Sequence, residues 1–77
     1  MKIDLKLMSV FAQYLKCDSD GKTTVKDGST VLDVVRFLDM PEDQVRIVAV
    51  NGKQMDLQTK LNEGDIVFIF PPAAGGG

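Results

Sequence analysis

Seventy-seven residues make one small domain, with no room for a second core. An apolar fraction of 44% argues for a folded body, and a formal charge of −2 with a pI near 4.8 argues against nucleic-acid binding. The basic residues are scattered from Lys2 to Lys60, whereas a phosphate-backbone binder needs a concentrated basic face.

Lys2 to Met8 alternate, with Ile3, Leu5 and Leu7 on one face and Lys2, Asp4 and Lys6 on the other, which predicts a half-buried strand. Val10, Phe11, Tyr14 and Leu15 change to spacings of about four, the signature of a short helical turn. Cys17 to Gly21 is a polar loop, Lys22 to Lys26 a weaker strand, and Asp27-Gly28 a turn signal. Val31, Val34, Val35 and Leu38 then form one apolar helical stripe, opened by the capping pattern Thr30-x-x-Asp33. Pro41 disfavours helix at Met40, so the helix is expected to end near Asp39.

Val45 to Val50 reads as a strand, and Asn51-Gly52 as a hairpin turn whose central residues both need positive φ. Lys53-Gln54-Met55 returns as a short partner, and Leu57 and Leu61 bracket a loop. Glu63-Gly64-Asp65 leads into Ile66 to Phe70, a strand apolar on both faces and therefore expected inside the sheet or under the helix. The whole predicts an α+β fold, a mixed sheet of four to five strands packed on one main helix. Residues 1–70 form the domain and 71–77 a flexible tail.

That tail, Pro71-Pro72-Ala73-Ala74-Gly75-Gly76-Gly77, carries no charged or bulky side chain. Fully extended it spans at most roughly 23–25 Å. The proline pair stiffens its root, and the glycines let a foreign backbone approach closely. Such a tail suits delivery of its own carboxylate into a narrow active site, although a frayed end would have the same composition.

Other motifs lead nowhere. Gly21-Lys22-Thr23 resembles the end of a phosphate-binding loop, but Lys16 stands where that motif needs glycine, and a strand follows where it needs a helix. Asp18-x-Asp20-Gly21 is too short for a calcium loop and lacks its distal glutamate. Glu42 and Asp43 read as solvated surface after Pro41. Cys17 cannot form an internal disulfide, fits a reducing cytoplasm, and has only Lys16 nearby to activate it. The absence of histidine removes serine–histidine and cysteine–histidine catalysis and most metal sites, so no metal site is expected and the chain is not read as an enzyme. No apolar run approaches the ~20 residues of a membrane span, and no membrane partner is expected.

The order of elements, with Val10-Phe11-Ala12, Thr30-Val31-x-Asp33-Val34, Val50-Asn51-Gly52 and Leu61-Asn62-Glu63-Gly64-Asp65-Ile66-Val67 before Phe70-Pro71-Pro72, resembles the MoaD/ThiS family of sulfur carriers. The resemblance covers essentially the whole chain and implies a ubiquitin-like β-grasp fold. Pro71-Pro72 with Ala74-Gly75-Gly76 looks more like the small subunit of molybdopterin synthase than the thiamine carrier. The family ends in two glycines, so Gly77 is either the reacting end or an added residue that leaves the role to Gly76.

By this resemblance an E1-like adenylating enzyme, using its own ATP and Mg²⁺, activates the terminal carboxylate, and a persulfide sulfur donor converts it to a thiocarboxylate. The molybdopterin synthase large subunit then receives the sulfur. No cofactor is expected on the chain itself. Gly77 (or Gly76) carries the sulfur, Gly75 and Gly76 thread, Pro71 and Pro72 aim the tail, and Phe70 anchors its root. Phe11, Phe68 and Phe70 are the candidate docking aromatics, with core packing as the alternative for each. The alternatives in function are a carrier for thiamine or tRNA thiolation, a ubiquitin-like modifier, and an interaction module with an inert tail.

Overall fold

The computed structural model describes residues 1–71. Among these, β1 (Lys2–Leu7), β2 (Thr23–Thr24), β3 (Ile47–Val50), β4 (Lys53–Met55) and β5 (Ile66–Phe70) form one sheet in the order β2-β1-β5-β3-β4. One helix, α1 (Val31–Phe37), and 3₁₀ turns at Ser9–Tyr14 and Glu42–Gln44 complete the body. β1 and β5 run parallel and every other pair antiparallel, so the sheet is mixed as expected.

The alternation in β1 does what its sequence implies. Ile3, Leu5 and Leu7 are buried and share one core with Val48, Val50, Val67, Ile69 and the helix residues Val31, Val34, Val35 and Leu38. Burying each such side chain stabilises the fold by roughly 1.5–3 kcal/mol. β5 lies between β1 and β3, which explains a strand apolar on both faces: Val67 and Ile69 enter the core, while Ile66, Phe68 and Phe70 form the opposite face.

The helix start follows the capping pattern. The Thr30 hydroxyl accepts the Asp33 N–H at 3.2 Å, and the Asp33 carboxylate accepts the Thr30 N–H at 2.9 Å. The bond from the Thr30 backbone is the main reason the Asp33 carboxyl lies below its ordinary range. A cap of this kind contributes about 1 kcal/mol.

The helix closes slightly earlier than Asp39. Leu38 is the C-cap, and Asp39 turns left-handed with φ +58°. Asp39 N–H then bonds the Arg36 carbonyl and Met40 N–H the Val35 carbonyl, each at 3.1 Å, which satisfies carbonyls the last turn would leave open.

Asn51 and Gly52 take φ +53° and +84°, the pair of positive angles the hairpin requires. Asn51 also ties that hairpin to the sheet. Its side-chain oxygen accepts the Ile66 N–H at 2.9 Å and its amide donates to Asp65 at 2.9 Å. β2 is shorter than the Lys22 to Lys26 run expected. Lys22 N–H is taken by the Asp20 carboxylate and the Lys26 carbonyl by the Ser29 turn, so local partners end the ladder on both sides.

Candidate functional site: an apolar sheet face at the root of the tail

The sheet face away from the helix divides into two halves. On β5 and β3, register places Phe70 beside Ile47 and Phe68 beside Ala49, with Ile66 next along the strand. Phe68 and Phe70, two residues apart on one face, stack with centroids 6.3 Å apart and planes 12° apart. Both are half-buried, while Ile47 is 46% and Ile66 39% exposed. A contiguous exposed apolar face of this kind marks an interaction surface.

On β1 and β2 the same face is charged. Asp4, opposite Ile66, lies 3.6 Å from the Lys6 ammonium and 3.8 Å from that of Lys22. Lys2 donates to Asp20 at 2.7 Å, and this bond is the first cause both of the raised Lys2 and of the lowered Asp20 pKa. All five of these charged groups keep contact with solvent, so the border contributes little stability. An apolar surface flanked by alternating charges is an arrangement that favours a single docking register.

Phe70 ends β5, and Pro71, half-buried, is the last described residue. Because β1 and β5 are parallel, the Ser9–Tyr14 turn that follows β1 sits at the same end of the sheet, where Met8 N–H bonds the Ile69 carbonyl at 3.1 Å. Its Val10 is 59% exposed. The expected roles of Pro72, Gly75, Gly76 and Gly77 fall outside the described residues.

Of the three candidate docking aromatics, the structure places Phe68 and Phe70 together on the exposed face and separates Phe11 from them. Phe11 is 1% exposed, packed edge-on to Tyr14 with centroids 6.4 Å apart. The expectation that its ring meets a partner is corrected: no ring surface is available. Ile47 and Ile66, absent from the expected site, belong to the face instead. The signal for Ile47 was in the sequence, since Val48 and Val50 point inward and alternation turns Ile47 and Ala49 outward.

Among the described residues no group of three or more histidine, cysteine, aspartate or glutamate side chains is placed to hold a metal. No helix among them is long and apolar enough to cross a membrane.

One helix against a five-stranded mixed sheet with a parallel central pair defines a ubiquitin-like β-grasp fold. The model of the ThiS family matches residues 8–76, and the chain belongs to that family of ubiquitin-like sulfur carriers. No curated protein matches its sequence. Among solved structures it is similar to SAMP1 from Haloferax volcanii, at 22% identity and a TM-score of 0.69 over 99% of this chain and 100% of that one. A putative molybdopterin converting factor, subunit 1, from Pyrococcus furiosus matches at 22% identity and a TM-score of 0.65, over 94% and 98% of the two chains. The solution structure of the Haloferax volcanii HVO 2177 protein matches at 28% identity and a TM-score of 0.71, over 99% and 87%.

Proposed function

We propose that the chain carries sulfur as a thiocarboxylate on its C-terminal glycine and delivers it for molybdopterin synthesis. Gly77 bears it, or Gly76 if Gly77 is an added residue. The observation that carries this reading is the family match, which runs through the tail to Gly76, on a body whose apolar face adjoins the tail's root. Pro71-Pro72 and Ala74-Gly75-Gly76 support molybdopterin as the destination, as does the name of the Pyrococcus furiosus neighbour.

The chemistry explains the division of labour. A carboxylate is a poor electrophile, because its charge is delocalised and its leaving group would be oxide. On the adenylating enzyme, a carboxylate oxygen attacks the α-phosphorus of ATP and pyrophosphate leaves, giving an acyl-adenylate. The terminal sulfur of a persulfide then displaces AMP, and a thiol cleaves the resulting acyl disulfide to leave the thiocarboxylate. Bringing an anionic terminus to ATP is electrostatically unfavourable, so Mg²⁺ and basic groups come from the enzyme. The chain supplies a slender tail and a docking face, and acts as a substrate rather than a catalyst.

A second reading, sulfur delivery for thiamine synthesis, is favoured by the name of the matching family. Reconstitution separates the two. The thiocarboxylated chain is combined with a molybdopterin synthase large subunit and pterin precursor, or with the thiazole-forming enzyme of thiamine synthesis. Dithiolene formation in the first mixture alone is expected; thiazole formation alone would overturn the molybdopterin assignment.

A further inference from the structure

The Asn51-Gly52 turn has a chemistry that its place in the hairpin does not use. In an asparagine–glycine pair the glycine nitrogen has no side chain beside it to block attack on the asparagine amide. Both residues are exposed here, and the space where a Gly52 Cβ would stand is open.

Against this, the Asn51 side chain is clamped. Its Oδ1 accepts the Ile66 N–H at 2.9 Å, and its Nδ2 donates to the Asp65 carboxylate at 2.9 Å. Its backbone N–H donates to the Ile66 carbonyl at 2.8 Å, so both backbone groups of Ile66 are tied to this one residue. Asp65 is fixed in turn, its second oxygen accepting the Asn62 N–H at 2.8 Å. Attack on the amide expels Nδ2 and turns Oδ1, so both side-chain bonds must break first.

We propose that Asn51 is a site of spontaneous deamidation that the Asp65 and Ile66 contacts hold back, and that its product converts this clamp into a like-charge pair. The Gly52 backbone nitrogen attacks the Asn51 side-chain carbon. A C–N bond forms, the bond to Nδ2 breaks, and the proton lost from the Gly52 amide leaves with that nitrogen as ammonia. Water then opens the succinimide at either carbonyl, giving aspartate or isoaspartate.

Each product undoes the clamp. Aspartate at position 51 still offers Ile66 an acceptor, but it sets a carboxylate oxygen where Nδ2 stood, 2.9 Å from the Asp65 oxygen. Like charges placed opposite one another destabilise a sheet. Isoaspartate runs the main chain through an extra methylene, and the two-residue turn loses the geometry that its positive φ angles supply. Either way the start of β5 is loosened at Ile66, a residue of the exposed apolar face. None of this depends on the sulfur-carrier reading.

The test follows the full chain at neutral pH and physiological temperature, fragmenting the peptide that holds residue 51 to separate asparagine, aspartate and isoaspartate. Conversion is expected to run about ten- to a hundredfold more slowly than in a capped peptide of residues 49–54, because it waits on local opening. Asp65→Asn sets two N–H donors against each other in either amide orientation, toward Asn51 or toward Asn62, and should speed conversion by about fivefold or more. Thr30→Ala loosens the helix cap without touching the clamp and should change the rate by less than about twofold. Urea denaturation reads the second half of the proposal. Asn51→Asp and Asp65→Asn should each lower the folded-to-unfolded ratio by about threefold or more. Their combination exchanges donor and acceptor, keeps an oxygen for the Asn62 N–H, and should recover most of the summed loss. Conversion as fast as in the peptide, or none in the parent chain after about a hundred peptide half-times, would overturn the proposal. So would an Asp65→Asn rate equal to the parent's or matched by Thr30→Ala, or a double variant as unstable as the sum of its parts.

Discussion

Substitution of Gly76→Trp together with Gly77→Trp is expected to lower adenylation of the chain by about 100-fold or more, with the fold unchanged. The body does not feel the change, because every core residue precedes Phe70 and Pro71 already lies beyond the last strand. The enzyme does feel it. A terminus that must reach the α-phosphorus of ATP through a narrow channel tolerates no indole, and even a misplacement of about 1 Å can reduce a rate by about two orders of magnitude. An ATP–pyrophosphate exchange assay with the cognate adenylating enzyme reads the effect, and the circular-dichroism spectrum reads the fold. Undiminished exchange by this variant would remove the threading account of the tail.

Phe11→Ala has the largest expected effect on the body. Truncating a buried phenylalanine destabilises by about 3–5 kcal/mol, and once chain entropy is offset the net stability of a domain of this size is only about 3–5 kcal/mol. The variant should therefore be largely unfolded at 25 °C, measured by urea denaturation beside the parent chain. A docking role predicts something else: a folded protein with weaker partner binding and an unchanged midpoint. That result would mean the ring is dispensable to the core, against its 1% exposure and its edge-on contact with Tyr14.

The contrast between Phe11 and Phe68 shows where the sequence is legible. In a strand, alternation assigns a face. Phe68 follows Val67 and precedes Ile69, so once those two enter the core Phe68 must leave it. In the Ser9–Tyr14 turn no such rule holds. A six-residue 3₁₀ segment has too few turns for a stripe, and only tertiary packing decides that Phe11 enters and Val10 does not.

Local devices were readable for the same reason that Phe11 was not. The capping box and the Asn51-Gly52 turn are each settled within a few residues, by backbone groups that must find partners nearby. The parallel β1–β5 pairing joins residues some sixty positions apart, and its register depends on the sheet as a whole. Hence the apolar character of β5 pointed to an interior strand without naming its neighbours. Ile47 and Ile66 were passed over because exposed isoleucines in strands look like core until their neighbours' directions are known.

The most direct test of the account is the intact mass of the chain recovered untagged from its own cells, with the C-terminal peptide sequenced by fragmentation. A population heavier by the sulfur-for-oxygen difference, placed on the last residue, is the predicted result, and it identifies whether Gly76 or Gly77 bears the sulfur. A chain that stays entirely unmodified, including after incubation with ATP, the cognate adenylating enzyme and a persulfide donor, would contradict it.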